Sequence, residues 1–214
     1  MGRPRGSHNA GYEETRAQLA RALLGRLLEP DGATVSFREM AAAAGVSAST
    51  LRHYFGDRAG TLKAVLEEAR RGARPFIEAA ADADHGPVGP SLKWLLESLW
   101  EAWTRFRVGE VHTLGVAAGL RDEVLGPAYV DEVLEPTLQA TEARLARHVG
   151  TGELGPCDVR HAALELVAPL VLALLHQESL FGARCRPLDV GAFLDDHLAR
   201  FLRAHGAGAA RAAG

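Results

Sequence analysis

Phe37-Arg38-Glu39-Met40-Ala41-Ala42-Ala43-Ala44-Gly45-Val46-Ser47-Ala48-Ser49-Thr50-Leu51-Arg52-His53-Tyr54-Phe55 decides how the chain is read. Met40, Ala41, Ala44, Gly45, Val46, Leu51 and Tyr54 stand at the spacings of two short helices packed across a tight turn. Ala41 has to be small because the second helix crosses there. Gly45 supplies the turn, where a positive φ suits a residue without Cβ. Val46 and Leu51 fill the corner between the helices, and Ala48, Ser49, Arg52 and His53 are left outside. This is a helix-turn-helix pattern, whose second helix can enter the major groove of DNA. Small helical hairpins with no nucleic-acid role show similar spacings, so the flanking sequence carries part of the decision.

The flanks agree with the pattern. Ser36, followed three residues later by Glu39, forms a capping box for the first short helix, and Ser47 caps the second. Upstream, Tyr12, Leu19, Leu23, Leu24, Leu27 and Leu28 recur at helical spacing over Tyr12–Leu28, and Pro30-Asp31-Gly32 stops that helix. Downstream, Gly56-Asp57 breaks the chain with Asp57 as a candidate N-cap, and a long helix runs from Arg58 into the low eighties. Pro75 lies inside it and is expected to kink it.

Beyond the loop His85–Pro90, apolar residues keep helical spacing over Ser91–Arg107, Val111–Leu120, Ala128–Val149, Asp158–Phe181 and Val190–Ala204. The breaks fall at Gly109, Gly126-Pro127, Gly150–Pro156 and Gly182–Pro187. No stretch alternates as a strand would, so the expectation is an all-α fold of about nine helices. Four parts are expected: a flexible basic arm (1–11), a DNA-binding helix-turn-helix domain (12–56), a helical sensing and dimerisation domain (57–205) and a disordered tail (206–214).

Composition narrows the function. The chain of 214 residues is 47% hydrophobic, enough for a packed core. Its net charge of −3 is unevenly spread: residues 1–71 hold eleven Arg or Lys against eight Asp or Glu, +3, which leaves −6 for the remainder. A basic head on an acidic body suits a nucleic-acid partner. Cys157 and Cys185 alone make no disulfide framework. No segment reads as a signal peptide. The longest apolar run, Val167–Leu175, falls short of the roughly 20 residues of a membrane span. A cytoplasmic protein without a membrane partner is expected.

Residues 12–69 resemble the tetracycline-repressor (TetR) family. The likeness rests on Phe37 through Ser47, on Thr50-Leu51-Arg52-His53-Tyr54-Phe55, and on Arg58 and Leu62. Two positions depart from the family's habit: Ala48 stands where a basic residue is often found, and Arg52 where an aromatic is common. The resemblance implies a homodimeric regulator of operator DNA, most simply a repressor, whose body binds a small molecule.

On that reading Arg52 is the candidate base reader, because a guanidinium matches guanine O6 and N7. Arg38 can reach a base or a phosphate. Ser36, Ser47, Ala48, Ser49 and Thr50 line helix N-termini suited to phosphates, with His53 and Tyr54 as neighbours. Arg58 resembles the family's phosphate-clamping cation, with Lys63 beside it. Arg3 and Arg5 could enter a narrow minor groove.

In the body, Trp94, Trp100, Trp103, Phe106, His112, Tyr129, His176 and Gln177 form a candidate pocket of aromatic walls with polar handles. Leu164, Val171, Leu175, Phe193, Leu194, Leu198 and Phe201 on the last two helices form the candidate dimer interface, a four-helix bundle across a two-fold axis. His161 and Glu165 stand four apart, but no full metal set is visible. No phosphate loop, nucleophile elbow or dinucleotide fingerprint occurs either, so neither an enzyme nor a cofactor is expected. The alternative is a helical small-molecule-binding bundle without sequence-specific DNA binding.

Overall fold

The computed structural model describes residues 6–82 and 86–207, with side chains from residue 11. Arg3 and Arg5 and residues 208–214 lie outside the described residues. The helices are α1 (Gly6–Leu27), α2 (Phe37–Ala43), α3 (Ala48–Phe55), α4 (Arg58–Ala81), α5 (Val88–Arg105), α6 (Val108–Gly119), α7 (Leu125–Tyr129), α8 (Glu135–Gly150), α9 (Val159–Leu174) and α10 (Val190–His205). A π-helical turn, Val130–Leu134, joins α7 to α8 without a break, and another, Leu175–Ser179, extends α9. With 125–150 taken as one rod, the described residues form nine helices and no strand. A single bridge pairs Leu154 with Gly206.

Four helices, α1, α5, α6 and α7, begin earlier than their apolar spacing indicates; α6 starts at Val108, with Gly109, read as a break, inside its first turn. The backbone of α1 is helical from Gly6, so part of the stretch read as an arm extends this helix; adding residues to an existing helix costs far less than nucleating one. α5 starts at Val88 and α7 at Leu125, with the Gly-Pro pairs Gly89-Pro90 and Gly126-Pro127 inside their first turns. Proline is tolerated there because first-turn N–H groups have no intrahelical acceptor. Each start is held by a carboxylate from outside the helix. Glu153 Oε1 accepts from Val88 N at 3.0 Å, and Asp122 Oδ1 accepts from Val124 N and Leu125 N, both at 2.9 Å. These bonds keep the Asp122 carboxyl below the usual carboxylate range.

The described residues divide into two compact units. The first comprises 6–73 and 110–133. Its core takes Leu19, Leu23 and Leu27 from α1, Met40 and Ala41 from α2, Leu51 and Phe55 from α3, and Leu62 and Val65 from α4. Leu114 of α6 and Leu125 of α7 complete it. Ala41 is 2% exposed, so the position that must be small does lie at a helix contact. α6 and α7 stand far along the chain from α1–α3, yet they fill the same core.

The second unit comprises 74–109 and 134 onward. Leu92, Leu95 and Leu96 of α5, Leu145 of α8, Ala162, Ala163, Leu166, Leu170 and Leu174 of α9, and Leu194, Leu198 and Phe201 of α10 build its core. α9 with its π extension, Val159–Ser179, is long and apolar enough to cross a membrane by composition. Here its buried stripe packs into the unit's own core, which produces the same composition.

Candidate functional site

The helix-turn-helix forms as its residues require. Ser36 Oγ accepts from Glu39 N at 3.3 Å and Ser36 N donates to Glu39 Oε2 at 2.8 Å, the full capping box. These bonds hold the Glu39 carboxyl below the usual range. Gly45 turns at φ +68°. Ser47 caps α3, accepting from Thr50 N at 3.0 Å. Its hydroxyl also lies 2.7 Å from Ser49 Oγ and 2.8 Å from Thr50 Oγ1, so three hydroxyls cluster at the N-terminus of α3. Gly60 N donates to Asp57 Oδ1 at 2.9 Å, at the start of α4.

On α3, Ala48, Ser49, Arg52 and His53 are exposed, whereas Thr50 and Tyr54 are half-buried. Ala48 and Ser49 stand four and three residues before Arg52, so the three share one face. The Arg52 guanidinium carbon lies 5.5 Å from the centroid of the Phe37 ring. Tyr12 fixes the other end of the helix. Its hydroxyl donates toward the carbonyls of His53 and Tyr54 at 3.3 and 3.4 Å, and its ring stacks on Tyr54 at 4.8 Å. A terminal carbonyl of α3 is thereby capped from α1, a role that the helical spacing of Tyr12 does not reveal.

Charge is distributed unevenly over this unit. Arg16 pairs with Glu67, Arg21 and Arg71 with Glu68, Arg26 with Asp31, and Arg70 with Glu132. Arg38, Arg52 and Lys63 are exposed and make no ion pair among the described residues. Arg38 and Arg52 stand on the helix-turn-helix and Lys63 on the helix after it; Arg121, exposed and likewise without an ion pair among the described residues, stands apart from it in the sequence. Arg58 is placed differently from the phosphate clamp that the resemblance implies. It is half-buried, and its guanidinium donates to the carbonyls of Val35 (3.0 Å) and Ala33, tying the start of α4 to the loop before α2.

The residues read as a pocket fall into separate groups. In the first unit His112 Nδ1 and the Tyr129 hydroxyl share a buried hydrogen bond of 2.7 Å. Burial lowers the His112 pKa to about 4 and raises that of Tyr129 to about 12. Gly115 lies flat against the Tyr129 ring, leaving no room for a Cβ. In the second unit Trp94 and Trp100 are half-buried on α5, and Trp103 is buried against Gly109. Phe106 is 71% exposed. Gln177 is occupied structurally: its amide donates to Arg186 O (3.0 Å), and its carbonyl accepts from Leu188 N (2.9 Å). Gly182 packs on the His176 ring. A cavity of about 60 Å³ between α5 and α10, touching Trp100, Leu194 and Leu198, has room for only a few waters.

The candidate interface residues also divide. Leu194, Leu198 and Phe201 are 5%, 8% and 1% exposed, because this face of α10 is spent on the protomer's own core. Leu164 is exposed, and Val171, Leu175 and Phe193 are half-buried; Leu172, at 70% exposure, lies uncovered beside them. Among the described residues no group of three metal-ligating side chains occurs.

One buried feature has no signal in the sequence. Arg144 is fully buried in the second unit. Its Nε donates to Ala80 O (2.7 Å), Nη2 to Ala79 O (2.9 Å), and Nη1 to Ser91 O (3.2 Å) and Ser91 Oγ (2.7 Å). The guanidinium lies 5.0 Å from the Trp94 ring. Ser91 Oγ continues to His148 Nε2 (2.9 Å), and His148 Nδ1 to Glu153 Oε2 (2.7 Å). Burial lowers the Arg144 pKa, and the charge of Asp82 opposes that shift. Two of the carbonyls it serves, those of Ala79 and Ala80, end α4, where a cation is favoured.

No protein-family model and no curated protein sequence matches the chain. Solved structures do. A protein from Mesorhizobium loti MAFF303099, described as a TetR-family transcriptional regulator, aligns at TM-score 0.73 with 19% identity, over 91% of this chain and 98% of its own. The flavonoid-responsive regulator FrrA aligns at TM-score 0.67 with 18% identity, over 91% and 98%. SmeT, the repressor of the Stenotrophomonas maltophilia multidrug efflux pump SmeDEF, aligns at 0.61 with 20% identity, over 89% and 90%. At these identities the likeness speaks for the fold: over nine-tenths of its length the chain has the all-α fold of the TetR-family transcriptional regulators.

Proposed function

We propose that the chain is a TetR-type transcriptional regulator, most simply a repressor. It binds a palindromic operator as a homodimer in the cytoplasm and is released by a small, largely apolar effector. The observation that carries this reading is the outer face of α3. Ala48 and Ser49 are small enough to let the helix approach a groove floor, Arg52 reaches beyond them, and Arg52 and Arg38 of the helix-turn-helix are exposed cations without an ion pair among the described residues. The hydroxyls of Ser47, Ser49 and Thr50 at the N-terminus of α3, with Ser36 at that of α2, suit phosphate oxygens.

The homodimer is supported by the apolar side chains that a protomer leaves uncovered on α9, Leu164 and Leu172. The effector is supported by the fold and by the aromatic side chains of α5. Both FrrA and SmeT carry regulatory names, the one flavonoid-responsive and the other a repressor. The test is selection from a random duplex pool with the full chain. Enrichment of a palindrome is expected, its half-site centres about one helical turn, ~34 Å, or a multiple apart. A pool that stays random after repeated rounds would defeat the reading in favour of a helical binding bundle without DNA function.

A further inference from the structure

We propose that Phe37 positions the DNA-reading head: its ring holds the Arg52 guanidinium ready for a guanine in the major groove, which makes that guanine a required base of each half-site. The inference rests on the DNA-binding reading above and assigns the base class that it recognises.

The argument begins with the face of α3. Ala48 offers a methyl group. The Ser49 hydroxyl already lies against Ser47 Oγ at 2.7 Å, and serine pairs with any base in any case. The His53 ring stands edge-on to Tyr12 at 5.7 Å and to Tyr54 at 5.1 Å. Discrimination therefore falls to Arg52. An aromatic ring beside a guanidinium restricts its motion while the planar fork of N–H groups stays available at its edge. Guanine presents O6 and N7 side by side in the major groove and so matches two of those donors at once, a pairing that no other base edge offers.

Arginine has much rotamer freedom to lose on binding, and a fixed support removes part of that loss beforehand. Phe37 is such a support. It is the first residue of α2, it follows the capped Ser36, and its ring packs half-buried against the first unit's core. The separation of 5.5 Å lies within the range of a cation–π contact.

The full chain is tested on the duplex selected from the random pool, on duplexes carrying each other base at its guanines, and on an unselected duplex, at several salt concentrations. Arg52→Lys keeps the charge and loses the planar fork. It should abolish a preference of roughly 5- to 100-fold at one guanine per half-site. Phe37→Leu keeps an apolar side chain and loses the ring. It should cut the same preference by roughly 2- to 5-fold, at that position alone, and Phe37→Trp should retain it. Thermal unfolding of each variant separates this loss from misfolding. If Arg52→Ala weakens selected and unselected duplexes equally and flattens the salt dependence, Arg52 holds a phosphate and the inference fails. It fails also if Phe37→Leu, folded, keeps the full guanine preference. A pool that never enriches defeats the DNA-binding reading itself.

Discussion

Replacing Arg144 with methionine sets two large effects against each other. Methionine fills most of the space, so the cavity contribution stays small. Four hydrogen bonds are lost: those to Ala79 O, Ala80 O, Ser91 O and Ser91 Oγ. Ser91 Oγ keeps His148 at 2.9 Å, and the half-buried Ala79 can turn its carbonyl to water. One buried carbonyl, that of Ala80 at the end of α4, then stays unsatisfied, at a cost of about 1–3 kcal/mol, whereas the Ser91 carbonyl keeps its helical donor inside α5. Against this, the cost of desolvating the guanidinium disappears. Because the cation sits on the negative end of α4 and on a Trp94 face, much of that cost is already offset in the folded state. The net loss expected is about 1–2 kcal/mol, seen as a lower urea midpoint at unchanged slope. Arg144→Lys should fall between, since one ammonium cannot serve Ala79, Ala80 and Ser91 together. Tryptophan emission is the natural probe, with Trp94 beside the lost charge. A methionine variant as stable as the parent would refute the reasoning: it would mean that desolvation outweighs the hydrogen bonds.

Other predictions follow from single contacts. His112 has a folded pKa of about 4 against its ordinary 6.5. The native state therefore binds fewer protons than the unfolded chain between these values. Its contribution is full above pH 6.5 and is lost as the pH falls toward 4; a series of melts should show this slope, and His112→Gln should flatten it. Tyr12→Phe should cost about 1 kcal/mol and lower affinity for the selected duplex, since α3 loses its C-terminal anchor; an unchanged melting temperature would deny the Tyr12 hydroxyl that role. Leu172→Glu should give a folded monomer by light scattering, whereas Leu194→Glu should unfold the chain, because only the second carboxylate would be buried; a folded dimer carrying Leu172→Glu would place the interface elsewhere.

Local chemistry was legible in the sequence, and distant chemistry was not. The capping box of Ser36 and Glu39, the turn at Gly45 and the cap at Ser47 depend on neighbours within a few residues, and each forms as its spacing indicates. The outward face of α3 follows from the same local pattern. The Gly-Pro start of α5 was hidden because its N-terminal anchor, Glu153, stands 65 residues from Val88; the start of α7 has a local anchor, Asp122, but Gly126-Pro127 reads as a break. Arg144 could not be distinguished from a solvent-facing arginine without knowing that the end of α4 and the start of α5 meet around it. Leu194 and Leu198 read as a stripe that a partner could bury, but a stripe does not say whether its own chain or another covers it. The inward turn of Arg58 rests on carbonyls 23 and 25 residues away.

The berths that Gly115 and Gly109 provide for the rings of Tyr129 and Trp103 bear on how this sequence can drift. Each glycine and its ring occupy one shared volume, so neither can be inherited independently of the other. A side chain arriving at 115 has to be accompanied by a smaller residue at 129, and a glycine retained at 109 leaves the indole at 103 free to persist. Along a lineage these positions should change in pairs, with the intermediate that carries only the glycine substitution rarely surviving.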